Sequence, residues 1–117
     1  MGTLKNFITT LHKSTKRDYI GRMSDNKIQC MKIAKKFEYD YWDGDRRYGY
    51  GGYKYIEGRW KKTAIELIDT YNLDDNSRIL DIGCGKGFLL FEIKKLLPNI
   101  KITGIDISKH AIECAPK

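Results

Sequence analysis

The sequence predicts an α/β fold with a parallel sheet, of which it supplies one β-α-β unit behind several helices and an aromatic, glycine-rich loop. Three observations lead there. Ile79-Leu80-Asp81-Ile82 is a short apolar run holding an acid at its end, and Gly83-Cys84-Gly85-Lys86-Gly87 follows it as a tight turn. Phe88-Leu89-Leu90-Phe91-Glu92-Ile93 then opens a helical pattern. Ile100-Lys101-Ile102-Thr103-Gly104-Ile105 is a second apolar run, closed by Asp106. Strand, turn, helix and strand are the elements such patterns specify, and a right-handed crossover returns the chain to a parallel neighbour. Alternate glycines suit a turn that needs positive φ and lets backbone N–H groups approach a ligand with no Cβ between. The helix start behind the turn favours electron-rich ligand atoms. A carboxylate closing the second strand can accept hydrogen bonds from both hydroxyls of a ribose, so the unit is of a nucleoside-binding kind.

Taken in order, residues 4–11 put Leu4, Phe7, Ile8 and Leu11 on one helical stripe, expected to dock on the protein's own core rather than on a membrane surface. His12 is expected to be exposed, and residues 13–21 read as a polar linker. A second helix starts at Ser24 or Asp25, either a good N-cap, and runs to Phe37 with Ile28, Met31, Ile33 and Ala34 on its apolar side and Cys30 on or beside it. Composition then changes. Residues 37–60 hold most of the aromatics and several glycines without a sustained period, so this segment is expected to be largely loop. It has three readings: a lid over a ligand, with tyrosines offering flat faces and hydroxyls; a nucleic-acid surface, with rings on bases and arginines on phosphates; or a structural loop completing a core. Residues 60–71 form a third helix with Trp60, Ala64, Leu67, Ile68 and Tyr71 on one side, and 72–77 turn into the first strand. The crossover helix carries Phe88, Leu90, Phe91, Ile93, Leu96 and Leu97 and ends before Pro98. Ser108 caps a last helix over 109–115, where His110 is expected to be solvated.

Composition bounds the function. The 117 residues, 41% hydrophobic and 32% charged, describe a soluble globular chain with a modest core. No membrane span, secretory leader or myristoylation signal is expected. Cys30, Cys84 and Cys114 show no C-x-x-C spacing and no nearby histidine pair, which reads as reduced cytoplasmic thiols and no metal site. The net charge of +7 comes partly from lysine doublets within helical patterns, a solvated face more than a nucleic-acid stripe, although it would help attract an acidic substrate.

Which nucleoside the loop takes is decided by elimination and then by likeness. The dinucleotide fingerprint needs glycine where Phe88 stands, and the P-loop needs Ser or Thr where Gly87 stands. What remains is D-x-G-x-G-x-G. Residues 79–87 resemble the first motif of class I S-adenosylmethionine-dependent methyltransferases, and Ile102-Thr103-Gly104-Ile105-Asp106-Ile107-Ser108 resembles the motif that follows it. The resemblance covers about 79–112, and residues 37–60 are similar to the segment before the first motif in a subset of bacterial members. It implies a Rossmann-like sheet and S-adenosyl-L-methionine as cofactor. Gly83, Gly85 and Gly87 would bring backbone close to its amino-acid and ribose portions, with Cys84 a small loop residue and no nucleophile. Asp81 would orient the loop or contact the amino group, Asp106 would hold the ribose hydroxyls, and Ile107 would pack on the adenine. Arg59, before the third helix, is a candidate partner for the methionine carboxylate; a plain surface arginine is the alternative.

The resembled family builds a seven-stranded sheet, and two strands leave its edges unpaired. The expectation is therefore that residues 78–117 are the first part of the catalytic domain, that 1–77 form an N-terminal segment of helices and lid, and that the chain is the front of a longer methyltransferase whose catalytic residues lie elsewhere. The acceptor stays open, with a lean toward a small molecule or glycan. The competing reading is a non-catalytic module that binds single-stranded nucleic acid through residues 37–62.

Overall fold

In the computed structural model, which describes residues 2–13, 20–21 and 26–117, strand β1 (Arg78–Ile82) pairs in parallel with β2 (Lys101–Ile105). Arg78 lies opposite Lys101 and Ile82 opposite Ile105, so both strands end level. Helix α5 (Phe88–Leu96) makes the crossover, and α4 (Lys61–Tyr71) packs against it. The other helices are α1 (Thr9–Lys13), α2 (Lys27–Ala34), α3 (Tyr39–Trp42) and α6 (Lys109–Glu113).

Side chains alternate along each strand, as the pleat requires. Ile79 and Ile102 point into a core centred on Ala64, Ile93 and Ile100, and Leu67, Leu89 and Leu96 close around it. Leu80, 59% exposed, joins Ile82 and Ile105 on the opposite face, which carries no covering helix among the described residues. Parallel strands usually read as apolar on both faces because both are covered. Asn72, in the left-handed region at φ 50°, ends α4, with Leu73 N–H donating back to Ile68. Ser108 caps α6 as expected, its hydroxyl accepting from Ala111 N–H at 3.0 Å, although the helix stops at Glu113 instead of 115.

The N-terminal expectations need correction. Helix α1 occupies Thr9–Lys13, and Leu4 is 96% exposed outside any helix instead of leading a helical stripe. The Asn6 side chain accepts from Thr9 N–H at 3.2 Å, so helical pairing starts behind it. Phe7 docks as anticipated, 6.2 Å from the Tyr71 ring, with the Thr63 hydroxyl donating to its carbonyl. The proposed caps Ser24 and Asp25 and most of the 13–21 linker lie outside the described residues. In α2 the buried residue is Cys30, whereas Ile28 and Met31 are exposed. The helix is short and packs against α3, with Cys30 its buried residue. Phe37, at φ 52°, turns the chain out of the helical direction. No helix among the described residues is long and apolar enough to cross a membrane.

Candidate functional site

Because β1 and β2 run parallel in level register, Asp81 and Asp106 come to the same end of the sheet, with the glycine loop between them. The loop is tied to β2: Gly83 and Cys84 both donate N–H to the Ile105 carbonyl, at 2.7 and 3.1 Å. Gly83, Gly85 and Gly87 stand at φ 80°, 57° and 70°, which L side chains adopt only at a cost. The space beside Gly83 and Gly87 where a Cβ would project is open.

Asp106 is held by backbone. One carboxylate oxygen accepts from Gly85 N–H and the other from Ser108 N–H, both at 2.8 Å. A carboxylate has about four acceptor positions, so two bonds fix its orientation and leave room for more. Asp81 is half-buried; that burial, and then the Asp106 charge, push its pKa up. The Cys84 thiol is likewise raised, by burial first and then by Asp81 and Asp106. It turns inward over Gly104, where an added Cβ would lie 2.7 Å from Sγ. A thiol held protonated is a poor nucleophile, in line with its reading as a loop residue. Ile107 is 83% exposed at the rim. Arg59 is exposed, on a cleft of about 390 Å³ that it shares with Arg46, Tyr50, Tyr53, Trp60 and Phe88 and that neither Asp81 nor Asp106 lines.

The aromatic segment packs directly on this loop. Trp42 is buried; a Cβ on Gly85 would lie 2.8 Å from its ring, so only glycine admits the indole there. Its Nε1–H lies within donating range of the Phe37 carbonyl, at 3.1 Å, and of the Ser108 hydroxyl, at 3.0 Å. Tyr50 stacks on Trp42 and Tyr53 on Phe88, while Tyr55 meets Phe88 and Phe91 edge-on. The chain turns tightly at Gly49, where a Cβ would strike the Tyr41 carbonyl at 2.1 Å.

A polar cluster that sequence reasoning did not identify locks the two parts together. Lys86, 5% exposed, donates to both Asp43 oxygens at 2.7 and 2.6 Å and to the Tyr53 carbonyl at 2.8 Å. His110, expected to be solvated, is half-buried with Nε2 2.7 Å from Asp43 Oδ2. Burial works to raise the Asp43 pKa, but hydrogen bonds from His110 and Lys86 outweigh it and leave the carboxyl below its ordinary value. Glu38 accepts from the N–H groups of Lys109 and His110, a favourable place for an anion at a helix start. Glu92, on the buried side of α5, accepts from the Tyr55 hydroxyl. The only sequence signal for these partners is their chemical type; the separations run from 33 to 72 positions.

Residues 73–117 match the model of a family described as "Methyltransferase domain". The chain is 41% identical over 95 residues to a malonyl-[acyl-carrier protein] O-methyltransferase of Acetivibrio thermocellus, covering 80% of this chain and 29% of that protein. It is 36% identical over 108 residues to a ribosomal RNA small subunit methyltransferase C of Buchnera aphidicola, covering 86% and 30%. A malonyl-[acyl-carrier protein] O-methyltransferase of Halalkalibacterium halodurans is 37% identical over 71 residues, covering 58% and 26%. The chain thus spans under a third of the length of these relatives, and the first two alignments are long enough to take in residues 37–60 as well as the glycine loop. No solved structure matches the chain significantly. The glycine loop and both strand-end acids lie inside the matched segment, so residues 73–117 belong to this methyltransferase-domain family.

Proposed function

We propose that the chain binds S-adenosylmethionine at the carboxyl ends of β1 and β2 and presents its methyl group to an acceptor. The observation that carries this reading is the pair of acids at one end of the sheet, with a positive-φ glycine loop between them. The residues suit the cofactor: the space beside Gly83 and Gly87 is open to an approaching ligand, and Asp106 keeps acceptor capacity after its two backbone bonds. Once bound, the cofactor supplies a methyl group on a sulfonium, already activated toward attack. The protein's task is then orientation.

In this reading Asp106 accepts from the ribose hydroxyls, and its backbone tethers mean that little side-chain freedom is lost on binding. Asp81 takes the amino group of the methionine part, whose positive charge would lower the raised pKa and favour the carboxylate. Gly83, Gly85 and Gly87 bring backbone against the ligand, Cys84 lines the loop, and Ile107 covers the adenine from the exposed rim. Arg59 pairs with the cofactor's carboxylate. Residues 37–60 serve as a lid, since α3 rests on Gly85. The acceptor carries negative charge, a preference drawn from Arg46, Lys54 and Arg59 on the cleft beside Phe88 and from the net charge of +7. The relatives' names, malonyl-[acyl-carrier protein] and ribosomal RNA, both fit an anionic acceptor and go no further. With no disulfide among the described residues, the three cysteines suit the cytoplasm.

Single-stranded nucleic-acid binding through 37–62 is the less favoured reading, because the faces of Trp42 and Tyr53 are taken by Tyr50 and Phe88. Calorimetric titration with S-adenosylmethionine and S-adenosylhomocysteine tests the proposal. Heat is expected with both; none with either, while NAD or ATP binds, would overturn it.

A further inference from the structure

Against the loop residue Lys86, three side chains of different chemistry converge. Asp43 Oδ2 lies 2.7 Å from His110 Nε2, and Cys114 Sγ lies 3.6 Å from the same nitrogen. The donor atoms of all three fall within 4.8 Å of one another. His110 and Cys114 are four residues apart, so one helical turn sets them on the same face of the chain leaving α6. Asp43 arrives from the aromatic segment.

The shared nitrogen decides what this group can do. A nucleophilic relay puts carboxylate and thiol on opposite nitrogens of the imidazole, one to orient it and one to be activated by it. Here both face Nε2, so they are arranged around a point and not along a line. We propose that Asp43, His110 and Cys114 form a binding site for a zinc-type divalent cation, which clips the aromatic segment to α6.

Mixed oxygen, nitrogen and sulfur donors are the set zinc accepts. With Zn–N about 2.0–2.1 Å and Zn–S about 2.3 Å, a tetrahedral ion holds N and S roughly 3.5 Å apart. The observed 3.6 Å already meets this. The oxygen and nitrogen have to separate by roughly 0.6 Å to reach their tetrahedral spacing. Lys86 also donates to Oδ2, at 2.6 Å, so the turn is made against that ammonium, while Oδ1 keeps its own bonds from Lys86 at 2.7 Å and from Tyr53 N–H at 3.0 Å. Such outer bonds are what orient a ligating carboxylate. On binding, the Cys114 thiol gives its proton to solvent and a metal–thiolate bond forms. The ring proton that bonds Asp43 from Nε2 moves to Nδ1 by way of solvent, so the imidazole is neutral with Nε2 free for the metal. Cys114 is exposed, so the ion has an approach from water and a fourth position open to it.

The test is titration of the chain with Co²⁺ as a spectroscopic stand-in, and with Zn²⁺ against a chromogenic chelator. One equivalent is expected, with a near-ultraviolet thiolate-to-cobalt band that Zn²⁺ abolishes. Cys114→Ser, a surface change that leaves the circular dichroism spectrum intact, removes the band. Both it and His110→Ala weaken zinc binding by about tenfold or more, at least the loss seen when outer partners are removed. His12→Ala leaves band and affinity as they were. Zinc also raises the thermal midpoint of the parent chain and not of Cys114→Ser. Absence of a thiolate band, or a band that survives Cys114→Ser, would overturn the site; so would a band lost in His12→Ala.

Discussion

The glycine-loop unit and the aromatic segment that covers it are built on opposite plans. In the loop the ties stay within the β-α-β unit: Gly83 and Cys84 bond the Ile105 carbonyl, and the Asp106 carboxylate holds the backbone of Gly85 and Ser108. In the segment, the ring stack is local but the anchors are distant. Trp42 reaches Ser108 across 66 positions, Asp43 reaches Lys86 across 43, and Glu38 reaches His110 across 72. The first region is a backbone device with glycine as its main component; the second is a side-chain device in which one altered residue removes several partners. They meet at Gly85, whose missing Cβ serves both, admitting positive φ and making room for the Trp42 ring.

The largest expected effect tests whether that meeting point is structural. Trp42→Ala empties a buried indole site and removes the donor facing Phe37 and Ser108, so it should destabilise the chain by about 3–5 kcal/mol. Urea unfolding measures it, and a loss below ~1 kcal/mol would reduce the segment to a surface layer. Next comes Gly85→Ala, at about 2–4 kcal/mol, from a left-handed φ plus a contact 2.8 Å from a ring that cannot rotate away. The double variant separates the causes. Removing the indole relieves the clash but not the backbone strain, so coupling of roughly 1–2 kcal/mol is expected between the two sites. Strict additivity would mean that loop and segment are independent.

Those two variants also mark where sequence reading stops. The strands, the crossover, the Ser108 cap and the positive-φ glycines were all legible, because each follows from spacing within a few residues. Lys86 was not. Between two glycines it looks like a loop lysine, and nothing local says that it will be 5% exposed against an acid from another element. His110 misled in the same way: its partner lies 67 positions upstream. Met31 and Leu4 failed for the reverse reason, since an apolar stripe predicts a buried face only if something comes to cover it. Local geometry was readable, and long-range polar pairing was not.

A smaller effect concerns ligand and not fold. Asp106→Ala should weaken S-adenosylhomocysteine binding by ~1–3 kcal/mol, the worth of hydrogen bonds to a charged group. Since Asp106 also accepts from Gly85 and Ser108, some destabilisation accompanies it. Asp106→Asn keeps acceptor capacity on one oxygen and should fall between. Unchanged affinity in a folded Asp106→Ala chain would show that the acid serves only the loop.

The smallest effect contrasts one acid from each region, and the two should differ in sign. Asp43, in the segment, has a folded pKa below its ordinary 3.8 because His110 and Lys86 favour the carboxylate over the opposing cost of burial. Its contribution is therefore complete above about pH 3.8 and disappears as pH falls through the lowered folded value. Asp81, at the loop, is raised by burial and then by Asp106. The folded chain prefers it protonated, so stability declines as pH rises from 3.8 through the raised value, and the penalty is full above that. Thermal midpoints measured across the acid range should show Asp43→Asn lowering stability at neutral pH, with the difference shrinking below pH 3.8. Asp81→Asn should raise the midpoint slightly at neutral pH and flatten the same range, while weakening S-adenosylmethionine binding. A carboxylate that costs stability until a cationic group meets it is what a ligand site retains and a structural site does not. If Asp81→Asn instead lowers the neutral midpoint, Asp81 is a structural partner like Asp43, and the contrast between the two regions is lost.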